Sequence, residues 1–195
     1  MEILTIWTLI KDPNYISTVM NYIILIDGPK GAGKTTVSAL LKERLKDVEF
    51  LSLDKEREAL TDRTDSLGAD NKRASQAVTE KLQAALALGK NVFIDTGLTE
   101  ERMLIFEQIA QEHNVKCYKF ALTAPYEVLC TRVKARSEAK GSKFDQDRFD
   151  VTYKLQQAKS FEGFKIIGSS QNSPEQIADI IVKAVDPNTL IALEK

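Results

Sequence analysis

The chain has 195 residues, a length that suits one domain with a core large enough to stand without disulfide staples. Hydrophobic residues make up 43% and charged residues 28%, and the formal net charge is −1, which excludes a disordered chain and a molecule that gathers polyanions by overall charge. The two cysteines, Cys117 and Cys130, form no CxxC pair and the single histidine is His113, too few ligands for a zinc site; the cysteines read as small buried hydrophobes in a reducing, cytoplasmic setting.

The first 19 residues contain the apolar run MEILTIWTLI, too short to span a bilayer and without the basic start and small-residue cleavage site of a secretory leader. They are either an upstream addition ahead of a start at Met20 or an extra element packed on the domain. No membrane association is expected. The apolar run YIILID, Tyr22–Asp27, predicts a strand buried on both faces of a parallel sheet. A glycine-rich loop follows, then a helix from about Lys34 to Lys46 with Val37, Leu40, Leu41 and Leu45 on one side. Val48–Leu53 predicts a second strand ending at Asp54, and Lys55–Asn71 a polar helix and loop.

Lys72–Leu88 predicts a long helix stopped by Gly89. Asn91–Asp95 (NVFID) is a third strand, Thr99–His113 a helix, and Val115–Leu122 a fourth strand. Ala124–Arg136 is helical, Glu138–Lys143 a loop around Gly141, and Asp145–Ser160 helical again. Phe144, Phe149 and Tyr153 read as core of that helix. Phe164–Ile167 is a fifth strand, and Ser173-Pro174 opens a last helix through Ala184 as N-cap and first helical position. The order implies one α/β domain over residues 20–185, a parallel sheet with helices on both faces and a helical lid at about 136–146, with 186–195 as a tail.

Gly28-x-x-x-x-Gly33-Lys34-Thr35 is a complete phosphate-loop pattern between a predicted strand and a predicted helix. Glycines let the backbone curl so that successive N–H groups point at oxygen anions, and the helix start adds its positive end. The nucleotide-binding set is Gly28, Pro29, Lys30, Gly31, Ala32, Gly33, Lys34, Thr35 and Thr36. Lys34 bridges the β- and γ-phosphates, and Thr35 offers a hydroxyl to Mg²⁺. Lys30 either touches phosphate or is solvated; loop interiors act through backbone N–H groups, which favours the second.

The chain lacks the Asn-Lys-x-Asp motif of a guanine switch, since Asn71-Lys72 is followed by Arg-Ala and does not follow a strand. Asp95 in VFIDTG is the acidic candidate for Mg²⁺, and Thr96 stands where motor ATPases carry a second carboxylate. In FLSLDKER, Asp54 lies at the carboxyl end of a strand, where open α/β sheets bind ligands, and can take a proton from an attacking hydroxyl. Arg57, one turn on, faces the same cleft and can hold an anionic acceptor; the plainer reading is a helix cap and a surface arginine. Arg132 and Arg136 share a helix face, with Lys140 and Lys143 in the loop beyond, either as a cationic lid over a triphosphate or as a solvated basic face.

The succession GPKGAGKTT, SLDKER, VFIDTG, RVKAR and SPEQIADIIVKAV resembles the small P-loop kinases, the group that includes polynucleotide 5′-kinases, zeta-toxin-like kinases and related small-molecule phosphotransferases. The resemblance runs from Met20 to Val185. It implies a three-layer P-loop NTPase fold with a five-stranded parallel sheet, ATP with Mg²⁺, Asp54 as general base and Arg132 and Arg136 as lid. The sequence departs from the polynucleotide kinases at Gly97, where those enzymes carry Asn. The expected activity is transfer of the γ-phosphoryl group of ATP to a hydroxyl of a small molecule, a nucleotide or a nucleic-acid 5′ end. The alternative is an ATP-binding module or slow ATPase that regulates a partner.

Overall fold

The computed structural model describes residues 21–62, 67–95, 97 and 99–186. The expectations for residues 1–19, Met20, Thr96 and the tail beyond Asp186 fall outside them. Five strands, β1 (Tyr22–Asp27), β2 (Val48–Ser52), β3 (Asn91–Asp95), β4 (Lys116–Thr123) and β5 (Lys165–Gly168), form one parallel sheet in the order β2-β3-β1-β4-β5. Seven helices are present among the described residues: α1 (Lys34–Arg44), α2 (Leu53–Glu58), α3 (Leu67–Ala87), α4 (Glu100–Glu112), α5 (Tyr126–Ala139), α6 (Gln146–Gln157) and α7 (Pro174–Val185).

Strand β1 shows why the sheet is central. All six of its residues are buried, and their side chains alternate between two cores. Tyr22, Ile24 and Ile26 face α1 and α7 through Val37, Leu41, Ile177 and Ile181. Ile23 and Leu25 face α3 and α4 through Val78, Leu82, Phe106 and Ile109. The result is three layers, as the apolar run without polar alternation implied. Helix α7 is fixed at its start by a capping box, in which Ser173 accepts from the Gln176 amide and the Gln176 side chain accepts from the Ser173 amide.

Beyond shifts of one to three residues at several element ends, three boundaries differ from the sequence expectation in ways that bear on the site. β2 stops at Ser52, and Leu53 turns into α2 to bury against the second core, so Asp54 lies in the first turn of a helix rather than at a strand end. α3 starts at Leu67, ahead of Lys72. α5 continues through Glu138 to Ala139, and the turn at the lid tip is confined to the residues around Gly141, whose φ is +66°. Phe144, Phe149 and Tyr153 do pack as core, with Tyr126 from α5 completing the cluster.

Register decides what meets at the carboxyl edge. Asp95 pairs in register with Ile26 on one side and Ser52 on the other, so Asp27, Asp95 and the start of α2 share one end of the sheet. The phosphate loop is fastened there by the absence of side chains. Gly28 has φ +144°, and a Cβ on it would stand 2.3 Å from the Leu122 carbonyl oxygen of β4. Gly31, at φ +85°, lies under α5, where a Cβ would stand 2.9 Å from the Leu129 carbonyl oxygen. Gly28→Ala therefore meets both a forbidden backbone region and backbone atoms that cannot yield. It is expected to destabilise the fold by about 3 kcal/mol or more in chemical denaturation.

Candidate active site

The phosphate loop opens a cavity of about 980 Å³, at the upper end of the range for small-molecule sites. Its lining contains the loop from Gly28 to Thr36, Asp54, Arg57, Asp95, Arg132 and Arg136, but not Lys140 and Lys143, which are exposed beyond the end of α5. Gly33 caps α1 in the left-handed conformation without a side-chain bond, and the first turn of α1 carries no acidic residue. Its leading N–H groups are thus left to an external anion. Thr35 and Thr36 are exposed in that turn.

Lys34 extends back over the loop, and its ammonium donates to the carbonyl oxygens of Gly28 and, at 3.3 Å, Pro29. Burial pulls its pKa below the ordinary lysine value, against the opposing pull of Asp27 and Asp95. Asp95 is held up in pKa chiefly by burial, while Lys34 and a 3.3 Å hydrogen bond from Ser38 favour its charged form. Lys30 is exposed to solvent at the cavity wall; partial desolvation and then Arg148 and Arg136 pull its pKa down.

At the mouth, Arg57 donates to Asp54 at 2.7 Å and to the Asn71 side-chain oxygen at 3.0 Å. Arg57 is mostly covered, with 23% of its side chain exposed, whereas Asp54 has 74% exposed. The arginine is thus held by α3 and presents the carboxylate to the cavity. Arg132 spans from α5 to the loop: it donates to the Gly31 carbonyl at 3.3 Å, the Ser169 hydroxyl at 3.1 Å and the Ser169 carbonyl at 2.8 Å. Arg136, one turn further along α5, lines the same cavity.

Several lining residues were not read from the sequence. Asp27 is 2% exposed, accepts from the Gly28 amide at 2.7 Å and pairs with Lys159 at 3.0 Å. Arg102 of α4 donates to the Gly97 carbonyl, and burial lowers its pKa. Asn71 enters as the support of Arg57. Thr152 and Gln156 of α6, and the segment from Ser169 to Pro174 after β5, complete the lining. The only local signal was the acidity of Asp27 directly before the glycine; the others depend on contacts distant in sequence.

Among the described residues no cluster of three or more His, Cys, Asp or Glu side chains is built to hold a metal. The Thr35 hydroxyl and the Asp95 carboxylate are hard oxygen donors, too few for a protein cage. They suit Mg²⁺, which keeps waters and takes its remaining ligands from phosphate. No described helix is long and apolar enough to cross a membrane.

A family model described as an AAA domain matches residues 23–159. No curated protein matches the sequence. Among solved structures, the chain is similar to the tunicamycin resistance protein of Deinococcus radiodurans, with 20% identity and a TM-score of 0.63 over 85% of this chain and 96% of that one. It is similar to a sugar kinase from Janibacter sp. HTCC2649, with 14% identity and a TM-score of 0.60 over 87% and 98% of the two chains. It is also similar to Kti12 of Chaetomium thermophilum in complex with ADP-AlF3, with 14% identity and a TM-score of 0.61 over 84% and 98%. At these identities the likeness is one of fold.

Proposed function

The chain belongs to the AAA domain family, and from that premise we propose that it is a phosphotransferase that moves the γ-phosphoryl group of ATP to a hydroxyl of a small molecule, a nucleotide or a nucleic-acid 5′ end. The observation that carries this reading is the Asp54–Arg57–Asn71 relay at the mouth of the phosphate cavity. A hydrolase needs only a positioned water. A carboxylate held open at the mouth by a braced arginine suits an incoming hydroxyl that must lose a proton.

In this reading the loop amides and Lys34 hold the phosphates, and Thr35 and Asp95 provide the oxygens for Mg²⁺. The metal, when bound, neutralises phosphate charge. Asp54 accepts the acceptor's proton as its oxygen attacks the γ-phosphorus, and Arg57 positions the acceptor. Arg132 and Arg136 face the charge that builds on the transferring group, and the lid hairpin of α5 and α6 keeps water away. The solved sugar kinase of the same fold is in keeping with a small hydroxyl acceptor.

The test is transfer of labelled γ-phosphate from ATP across a panel of sugars, nucleosides, other metabolic alcohols and 5′-hydroxyl oligonucleotides. Label is expected on one class of alcohol. ATP that binds and is slowly hydrolysed while no acceptor takes label would instead favour the regulatory ATP-binding module.

A further inference from the structure

One polar group in the cavity wall has no use in the fold. Gln156 lies in the last turn of α6 and is 8% exposed. Its side-chain Nε2 is fully buried and is the one buried side-chain nitrogen or oxygen among the described residues that finds no hydrogen-bond partner. The residue nevertheless lines the phosphate cavity, together with Thr152 one turn earlier. A buried amide left unpaired is costly and uncommon, and folds retain such a group where something other than the fold satisfies it.

Its surroundings define what that is. Lys159, one turn beyond Gln156, donates to Asp27, the residue directly before the loop. Lys159 also acts electrostatically on Lys34. Gln156 thus sits on the stretch of chain whose lysine fixes the root of the loop, where Lys34 grips the terminal phosphates. Nε2 can only donate; of the charged groups in this part of the cavity lining, Lys34 is a donor as well, and the Asp27 carboxylate is already taken by the Gly28 amide and Lys159. A partner for Nε2 here has to be an oxygen that accepts.

Resting on the nucleotide-binding reading above, we propose that Gln156 reads the terminal phosphoryl group: its Nε2 donates to a γ-phosphoryl oxygen of the bound nucleoside triphosphate, so that the site tells triphosphate from diphosphate. The lid's return helix then senses the phosphate that is about to leave. Free phosphate offers the same oxygen chemistry, and the arms of the experiment separate the two.

The measurement is calorimetric affinity, with Mg²⁺, for ADP, for ADP with inorganic phosphate, and for the non-hydrolysable triphosphate AMP-PNP, on wild type, Gln156→Met and Gln156→Glu. Gln156→Met is expected to keep ADP affinity within about twofold and to lose about tenfold or more for AMP-PNP, the scale of a hydrogen bond to a charged group. Its melting temperature without nucleotide should equal or exceed that of wild type, because an unpaired donor has been removed. A merely structural glutamine would do the reverse, with a lower melting temperature and an unchanged ratio of the two affinities, and that result overturns the proposal. A loss seen only with ADP plus phosphate overturns it in favour of a free-phosphate site. If neither variant folds, the Gln156 side-chain amide signals of ¹⁵N-labelled wild type decide: they should shift with AMP-PNP and not with ADP, and no such difference overturns the proposal. A wild type that binds neither nucleotide overturns the nucleotide reading itself, an outcome distinct from one that binds both.

Discussion

Lys34→Met is expected to lower phosphoryl transfer by about 10³-fold and to weaken triphosphate binding, read from initial rates of label transfer and from AMP-PNP affinity. The ammonium is the one cation inside the loop that is removed from water, and burial already strains its charged state. A buried charge acts through a low local dielectric, so its attraction for phosphate exceeds that of any rim cation. Its bonds to the Gly28 and Pro29 carbonyls keep it aimed along the loop until phosphate oxygens compete for it. Methionine keeps the length and loses the charge. Lys34→Arg should not restore activity, because the guanidinium fork cannot enter a space shaped for a point charge. An activity of Lys34→Met within tenfold of wild type would mean that the loop does not grip a transferring phosphate.

Asp54→Asn should cost 10²–10⁴-fold, roughly, in transfer to the acceptor while leaving ATP affinity within about twofold. The asymmetry follows from position. Asp54 stands at the mouth of the cavity, 74% exposed, and makes no hydrogen bond to the loop. The stability change should be small, since an exposed pair one turn apart on a short helix is worth about 0–1 kcal/mol. Asp54 and Arg57 are therefore poorly accounted for as a stabilising pair. If slow ATP hydrolysis is the whole activity of the protein, Asp54→Asn leaves it untouched, and acceptor transfer is absent in wild type too.

The elements that were legible from sequence carry local, redundant signals. NVFID carries three consecutive apolar residues between polar ends and matches β3 residue for residue. Ser173-Pro174 followed by Gln176 is a helix start written in four residues. Asp54 was located in the right cleft but on the wrong element, because FLSL alternates like a strand while Leu53 finds its burial by turning into α2. Asp27 and Lys159 are 132 positions apart, and Arg132 reaches Gly31 across 101, so no local pattern announces either contact. Asn71 closes the segment that reads as a polar helix and loop and fails as a guanine motif; its role as the brace of Arg57 depends on where α3 runs. Gln156 looked like any amide on a helix until its surroundings showed it buried and unpaired.

The Asp27–Lys159 bridge constrains how the lid travels. It ties the root of the phosphate loop to the chain just beyond α6, and Asp27 is almost wholly enclosed. Pulling the two apart would strand a carboxylate in the interior at a cost of about 3 kcal/mol or more. A hinge at that root is thus closed off mechanically. In the reading proposed above, the hairpin swings like a drawbridge whose landward end is bolted: its tip near Gly141 sweeps, while the stretch carrying Gln156 and Lys159 stays in place, and the groups proposed to face the terminal phosphate do not move.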